Sequence, residues 1–544
     1  MNATQPQPRA PDSPARRRAT LLAVGLVAAV AGCAARQPDL FPVAPLRVAT
    51  RDDGSIERFY DLDTDGRGDF CEQLGPDGLV HALRFDRDRD GTLDELATIR
   101  DAPPASATPD HIAATPENIA VPTGASARIT AYPSADWPQL LLIIDSVPFD
   151  IVSELWQQGR LRHFAPPSRI ISPFPVMTDV ALADFFGVGP CPGVESEYFD
   201  GNRLRHGLAS YGATQTAPWL ACVDYALPAG KHVFAYLNSQ QWIRTELTLI
   251  QTRFALASQQ PGARCFSAYL VTGSAIGSRH GRNGHIEALT LLDRWTQMLM
   301  YQHAGRLRIT LMSDHGHDIR DSRWVSIPDA LRALGYRPVE ALAGPTDVVI
   351  PTFGQVSCAA VYTRAPAVVA HDLVGVEGVE LACYRDGAAV VVLSRDGRAR
   401  ITRSTDTYRY SAIAGDPLRL LSRSGSSDFH CVEVPRDDVA ASAADTYPDA
   451  LHRLWRAFDG LVVHTPDVLV ALATGYHTGS EQMSRLIRMR AAHGNLTRES
   501  STGFVMTTAG ELPPIMRMQD VAAALRARNI QTPRAERRLE AIDR

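Results

Sequence analysis

The stretch at residues 309–318, ITLMSDHGHD, constrains this chain more than any other. Ile309, Thr310, Leu311 and Met312 read as a buried strand that stops at a polar cluster of Asp314, His315, Gly316 and His317. The end of a buried strand is where an α/β sheet places its chemistry. An adjacent Asp and His offer a carboxylate oxygen and an imidazole nitrogen to one divalent ion, and Gly316 is expected to let the backbone turn so that both face it. An isolated Asp-His-Gly is more often a solvated turn, so other stretches have to decide.

Length allows two or three domains, since 544 residues is long enough for a large core. A hydrophobic content of 45% with 21% charged residues describes an ordinary globular chain. The formal net charge is -5, and residues 1–32 hold four arginines and one aspartate, so the remainder carries about -8. That balance excludes nucleic acid as an expected partner.

Arg16, Arg17 and Arg18 precede an apolar run at residues 21–30 that ends in Val30-Ala31-Gly32-Cys33. A basic segment, a short apolar segment and small residues form a secretory signal, and the run is too short to cross a bilayer comfortably. The cysteine after Ala-Gly resembles a bacterial lipobox. That resemblance implies cleavage after residue 32, lipidation of Cys33 and an exported protein tethered to a membrane by its lipid anchor. Ala34 rather than Asp follows, which resembles outer-membrane sorting, on the periplasmic side or the surface. The seven later cysteines are scattered and odd in number, and their spacing gives no pairing.

Residues 33–100 contain a small acidic repeat. Asp61, Asp63 and Asp65 with Gly66, and Asp86, Asp88 and Asp90 with Gly91 followed by Asp94, alternate carboxylates toward a glycine at the sixth place. That pattern wraps oxygens around Ca²⁺, and Glu72 stands at the twelfth place of the first copy. The flanks alternate as strands, so two β-hairpin turns are expected rather than paired helices, each a calcium loop or a metal-free acidic turn. Residues 101–136, with six prolines among Ala, Ser and Thr, read as a linker.

The main domain is expected over residues 137–525. Residues 140–144 form a continuous apolar run ending at Asp145, followed by a helical pattern at 149–158. An Asp at that rim suits a metal, although helix capping is its commoner role. Residues 174–179, FPVMTD, lead into a short helix at 180–186, and Thr178 is either its cap or a nucleophile beside the positive end of its dipole.

Asp145 after a strand, Thr178 in its Phe-Pro-x-x-Thr context and the Asp314-His315-Gly316 turn resemble, in order and spacing, the alkaline phosphatase superfamily. Its nucleotide pyrophosphatase/phosphodiesterase branch, which uses a threonine nucleophile, is the most similar. Tyr408-Arg409-Tyr410, Gly415-Asp416-Pro417-Leu418, Tyr447-Pro448-Asp449-Ala450, Pro466-Asp467-Val468 and Ala492-His493-Gly494-Asn495-Leu496 extend the resemblance to bacterial members. It implies two Zn²⁺ ions about 4 Å apart, with Mn²⁺ as another candidate metal. One would be held by Asp145, Thr178, Asp314 and His315. The other would be held by an Asp-x-x-x-His pair plus a late histidine, which His493 matches. It also implies a phosphorylated small-molecule substrate.

The chain departs from that pattern at one place. Ser274 stands at the Asp position and Ser278 at the His position, and neutral serines are poor zinc ligands. The second metal site is therefore expected to be degraded. His280 or His285 would have to replace a lost ligand, and His477 is expected in a surface loop. Three functions remain: a phosphodiesterase- or pyrophosphatase-type phosphohydrolase, a catalytically degenerate ligand-binding relative, or a phosphoryl head-group transferase. A sulfatase is disfavoured, because Thr178 lacks the Cys/Ser-x-Pro-x-Arg context.

The expected architecture is α/β: an alkaline-phosphatase-like sheet flanked by helices, with strands ending at Asp145, Val271 and Ser313 on one rim. A small β-rich cap is expected at about 320–465, with strands at 348–352, 358–363, 388–393 and 400–403. A helix at 520–528 and a charged tail at 526–544 close the chain.

Overall fold

The computed structural model describes residues 37–99, 128–130, 137–206, 217–260, 265–352, 354–421 and 430–533. Cys33, the signal segment, most of the proline-rich linker and residues 534–544 of the tail lie outside the described residues.

A seven-stranded sheet positions the site. Gln139–Ile144 is buried along its whole length, as an apolar run with helices on both faces requires. It pairs in parallel with Cys265–Leu270 on one side and Arg308–Met312 on the other. Leu140 aligns with both Phe266 and Ile309, so Asp145, Val271 and Ser313 emerge at one rim as expected. Thr502–Thr507 then runs antiparallel between Arg308–Met312 and Ser168–Ile171, with Ile515–Arg517 at that edge and Tyr225–Ala226 at the other.

Alternation along the central strand divides its side chains between two helix layers. Leu140, Leu142 and Ile144 pack with Ala288, Leu292 and Trp295 of the helix Thr272–Gln302. Leu141 and Ile143 pack with Leu182 and Phe185 of Thr178–Phe186 and with Val521 and Leu525 of Met518–Ala527. The long helix Thr272–Gln302 is interrupted at Gly281, where φ is 59° and ψ is -141°.

The inserted region is not a small cap. It supplies a nine-stranded sheet running from Arg337–Pro338 at one edge to Cys431–Pro435 at the other, and Val468–Leu472 lies in its middle. The insertion therefore extends past residue 465, because the five buried residues VLVAL pair with both Cys358–Thr363 and Val379–Asp386. The expected strands at 388–393 and 400–403 appear as Ala389–Ser394 and Gly397–Arg403.

Residues 47–98 form the hairpins expected of the acidic repeat. Ile56–Tyr60 pairs antiparallel with Phe70–Leu74, and Val80–Phe85 with Glu95–Thr98, each pair joined by one acidic turn. This sheet shares an apolar core with the main domain, where Phe41, Phe70 and Phe85 join Trp295, Leu299 and Met300. None of the seven cysteines among the described residues is in a disulfide.

Candidate metal and nucleophile site

Asp145, Asp314 and His315 each turn a ligating atom inward, and those atoms all lie within 4.8 Å of one another. The two carboxylates arrive from adjacent parallel strands, which is why residues far apart in sequence meet. Ser146, one residue beyond the first strand, adopts φ 62°, a left-handed conformation that costs a non-glycine residue about 1 kcal/mol. Its N–H donates to Asp314 Oδ1 at 3.0 Å and its hydroxyl to Asp145 Oδ1 at 2.6 Å, so the strained residue ties the two carboxylates together.

Gly316 is needed for a different reason from the one expected. Its φ is not positive; a Cβ there would stand 2.2 Å from the Glu499 carbonyl oxygen and 2.6 Å from that of Thr502. Close backbone approach, rather than a left-handed turn, demands glycine at this place.

Thr178 begins its helix instead of capping it. Met177 is the N-cap and makes no side-chain cap bond, while Thr178 Oγ1 lies 3.4 Å from His315 Nε2 and is partly exposed to solvent. The N-cap thus supplies no side-chain acceptor to the helix's first N–H groups, an arrangement that favours an anion beside the hydroxyl.

Burial raises the Asp145 carboxyl well above the usual carboxylate range, and the facing Asp314 carboxyl adds to that. Asp314 is raised by burial as well. Burial lowers His315 to about 4 and His493 to about 3, so both imidazoles are neutral at pH 7 and able to ligate. Two buried carboxyls that oppose each other's ionisation, beside a neutral imidazole, suit a divalent cation whose charge offsets both. Asp314 Oδ2 is buried without a hydrogen-bond partner, and His315 Nδ1 bonds the Gly316 carbonyl oxygen at 3.0 Å, which leaves Nε2 free to ligate. The donor set fits one ion.

His493 joins this group. Its ring stacks on His315 with centroids 4.2 Å apart, its Nδ1 bonds the Val176 carbonyl oxygen at 2.9 Å, and Val176 N–H donates to the Gly494 carbonyl oxygen. The late histidine is therefore clamped to the segment that presents Thr178.

Ser274 and Ser278 lie at the buried start of the helix Thr272–Gln302, and Ser274 Oγ is 3.1 Å from the Tyr236 hydroxyl. Their place is filled by a tyrosine rather than by carboxylate and imidazole, so those two positions do not fit a second ion. Of the suggested replacements, His280 is half-exposed outside the cluster, whereas His285 is fully buried with Nε2 3.2 Å from His317 Nδ1. His477 is not in a surface loop: it is buried on Tyr476–Gly479, between the hydroxyls of Ser322 and Ser484.

Sequence reasoning missed Tyr269, whose hydroxyl donates to Asp145 Oδ2 at 2.6 Å. Its one signal was its place next to the last residue of Cys265–Leu270, a strand parallel to the Asp145 strand. His317 was visible in the opening motif but carried no assigned role.

In the acidic repeat, Asp61, Asp63 and Asp65 form one carboxylate group and Asp86, Asp88 and Asp90 another. Glu72 and Asp94 belong to neither. The Glu72 carboxylate turns instead into the core, 2.6 Å from His163 Nε2 and 3.1 Å from the Tyr60 hydroxyl. Asp69 takes the place near the loop, accepting from the N–H groups of Leu62 and Asp63.

No protein-family model matches this chain, and no curated protein matches it. Among solved structures it is similar to murine ectonucleotide pyrophosphatase/phosphodiesterase 5, with 10% identity, a TM-score of 0.39, and coverage of 73% of this chain and 96% of that one. The human counterpart gives 11% identity at the same coverage and TM-score. An inactive form of the murine protein in complex with AMP gives 10% identity and a TM-score of 0.39.

Proposed function

We propose that this protein is a metal-dependent phosphohydrolase of the phosphodiesterase or pyrophosphatase type, with Thr178 as its nucleophile. The observation that carries the reading is the convergence of Thr178 Oγ1, Asp145, Asp314 and His315, with Asp314 Oδ2 left unpartnered in the interior. Asp145, Asp314 and His315 would hold a Zn²⁺ or Mn²⁺ ion, which supplies the charge that lowers the pKa of the Thr178 hydroxyl. Thr178 Oγ attacks phosphorus as the bond to the leaving oxygen breaks, and water later releases the phosphoryl group from the threonine. The free N–H groups at the start of Thr178–Phe186 bind the non-bridging phosphate oxygens. Tyr269 holds Asp145 in its orientation.

The test is hydrolysis of bis(p-nitrophenyl) phosphate with added Zn²⁺ or Mn²⁺. Thr178→Ala is expected to lower kcat at least 10³-fold while leaving bound metal in place. A folded, metal-loaded wild-type protein without any turnover would sink the reading. That result would favour a catalytically degenerate binder, a reading supported by Ser274 and Ser278 standing where two ligands of the second ion are expected.

Export and lipid anchoring are part of the same proposal, resting on the basic, apolar and Ala-Gly-Cys33 order at the N-terminus. Labelled palmitate should enter the wild-type chain when it is expressed in a bacterium, and Cys33→Ala should abolish labelling. Equal labelling of both would remove Cys33 as the acceptor.

A further inference from the structure

We infer that His317 and His493 form a second divalent-cation site, built from imidazole and replacing the ligands absent at Ser274 and Ser278. It rests on the reading that Asp145, Asp314 and His315 hold the first ion. His317 is 1% exposed, and its Nε2 has no hydrogen-bond partner. A ring nitrogen left unpartnered in the interior is unfavourable, and a ligated ion would offset that. The opposite nitrogen, Nδ1, is 3.2 Å from His285 Nε2, so His317 already has the outer hydrogen-bond partner that fixes the ring of a ligating histidine. His493 is prepared in the same way, with Nδ1 on the Val176 carbonyl oxygen and Nε2 as the remaining donor atom. The two rings are 5.7 Å apart between centroids, and the His493 ring also stacks on that of His315.

Gly277 makes room for the His285–His317 contact that orients the His317 ring. It lies between the two serines, and a Cβ there would stand 2.3 Å from His285 Nε2 and 2.8 Å from His317 Nδ1. The helix that lacks a carboxylate and an imidazole at 274 and 278 is thus hollowed at 277, where His285, from later in the same helix, meets His317. Two nitrogen ligands favour Zn²⁺, Cu²⁺ or Ni²⁺ over Mg²⁺ or Ca²⁺, and they leave coordination positions for water and a phosphate oxygen.

Elemental analysis of the purified full chain, loaded with Zn²⁺ in excess Ca²⁺ so that the oxygen-only acidic loops do not take up zinc, tests this. Two zinc ions per chain are expected. His317→Gln should reduce the count to one, and Gly277→Ala should do the same although it changes no ligand. Asp314→Asn should instead remove the other ion. If His317→Gln does not fold, Cu²⁺ bound to the Asp314→Asn variant, with His317 and His493 intact, decides: nitrogen hyperfine splitting from two imidazoles is expected in its electron paramagnetic resonance spectrum. One ion in the wild type, two in folded His317→Gln, or an oxygen-only copper spectrum overturns the inference. Phosphodiester turnover with a single ion would refute this site alone, and two ions without turnover would refute the hydrolase reading alone.

Discussion

Tyr269 shows what one side chain contributes to the site. Its hydroxyl gives Asp145 Oδ2 a hydrogen bond in a place from which water is excluded, and a bond to a charged acceptor is worth about 1.5–3 kcal/mol. Without it the Asp145 carboxyl, already raised by burial, would hold its proton more tightly and compete less well for metal. Tyr269→Phe should therefore weaken Zn²⁺ binding at pH 7 by about ten- to a hundredfold, measured by competition with a chromophoric chelator. Unchanged affinity would mean that Tyr269 is only packing. The sequence showed Asp145, Asp314 and His315 because polar residues at the ends of apolar runs stand out against their surroundings, whereas Thr178 and His493 were singled out by the resemblance of their motifs. It did not show Tyr269 or Tyr236, since an aromatic residue in a strand or short helix reads as core and its hydroxyl's partner lies on another element. Whether Thr178 capped its helix or began it rested on one residue of register, which only the backbone resolves.

Glu246 illustrates control at the level of an element. It is fully buried on Ser239–Ser258 and accepts from the N–H of Thr272 at 3.2 Å, from the Thr272 hydroxyl and from the Tyr225 hydroxyl. It thereby fixes the start of the helix that carries Ser274, Gly277 and Ser278. Burial raises its carboxyl to about 7 from an ordinary 4.5. The folded state thus holds the proton more tightly than the unfolded chain. The stability this contributes is fully present below about pH 4.5 and is lost as pH rises through about 7, a span of about 3 kcal/mol. Glu246→Gln stays neutral throughout, so its melting temperature should vary less between pH 5 and 8 than that of the wild type. Parallel pH profiles would exclude Glu246 as the source. The strands of the central sheet were legible as apolar runs, but this helix start was not. Glycines at 273, 277, 281 and 284 dilute the helical pattern, and what stabilises the segment is a carboxylate some 26 positions away.

For the molecule as a whole, the sequence suggested a main domain with a small cap and a separate acidic module, and the structure differs in both proportions and coupling. The inserted sheet outgrew expectation because an interior strand, Val468–Leu472, is supplied from beyond the region that strand-like runs marked. The acidic module could not be read as part of the core, since periodicity shows that a face is apolar without showing what covers it. In the structure Phe70 packs against Phe41 and Phe85 within its own module, each at 5.2 Å between centroids, and against Tyr301 at 5.7 Å across the junction. Buried Glu72 adds a link to His163 in the main domain. A shared core of this kind makes the module part of the main domain's cooperative unit. Phe70→Ala should then lower the stability of the whole protein by about 3–5 kcal/mol, as loss of a buried aromatic ring does. In urea, far-ultraviolet circular dichroism and phosphodiester hydrolysis should lose their signals at one common midpoint, shifted downward together in the variant. A separate early transition that leaves hydrolysis intact would show instead that the acidic module unfolds alone, and that the aromatic junction does not couple it to the site.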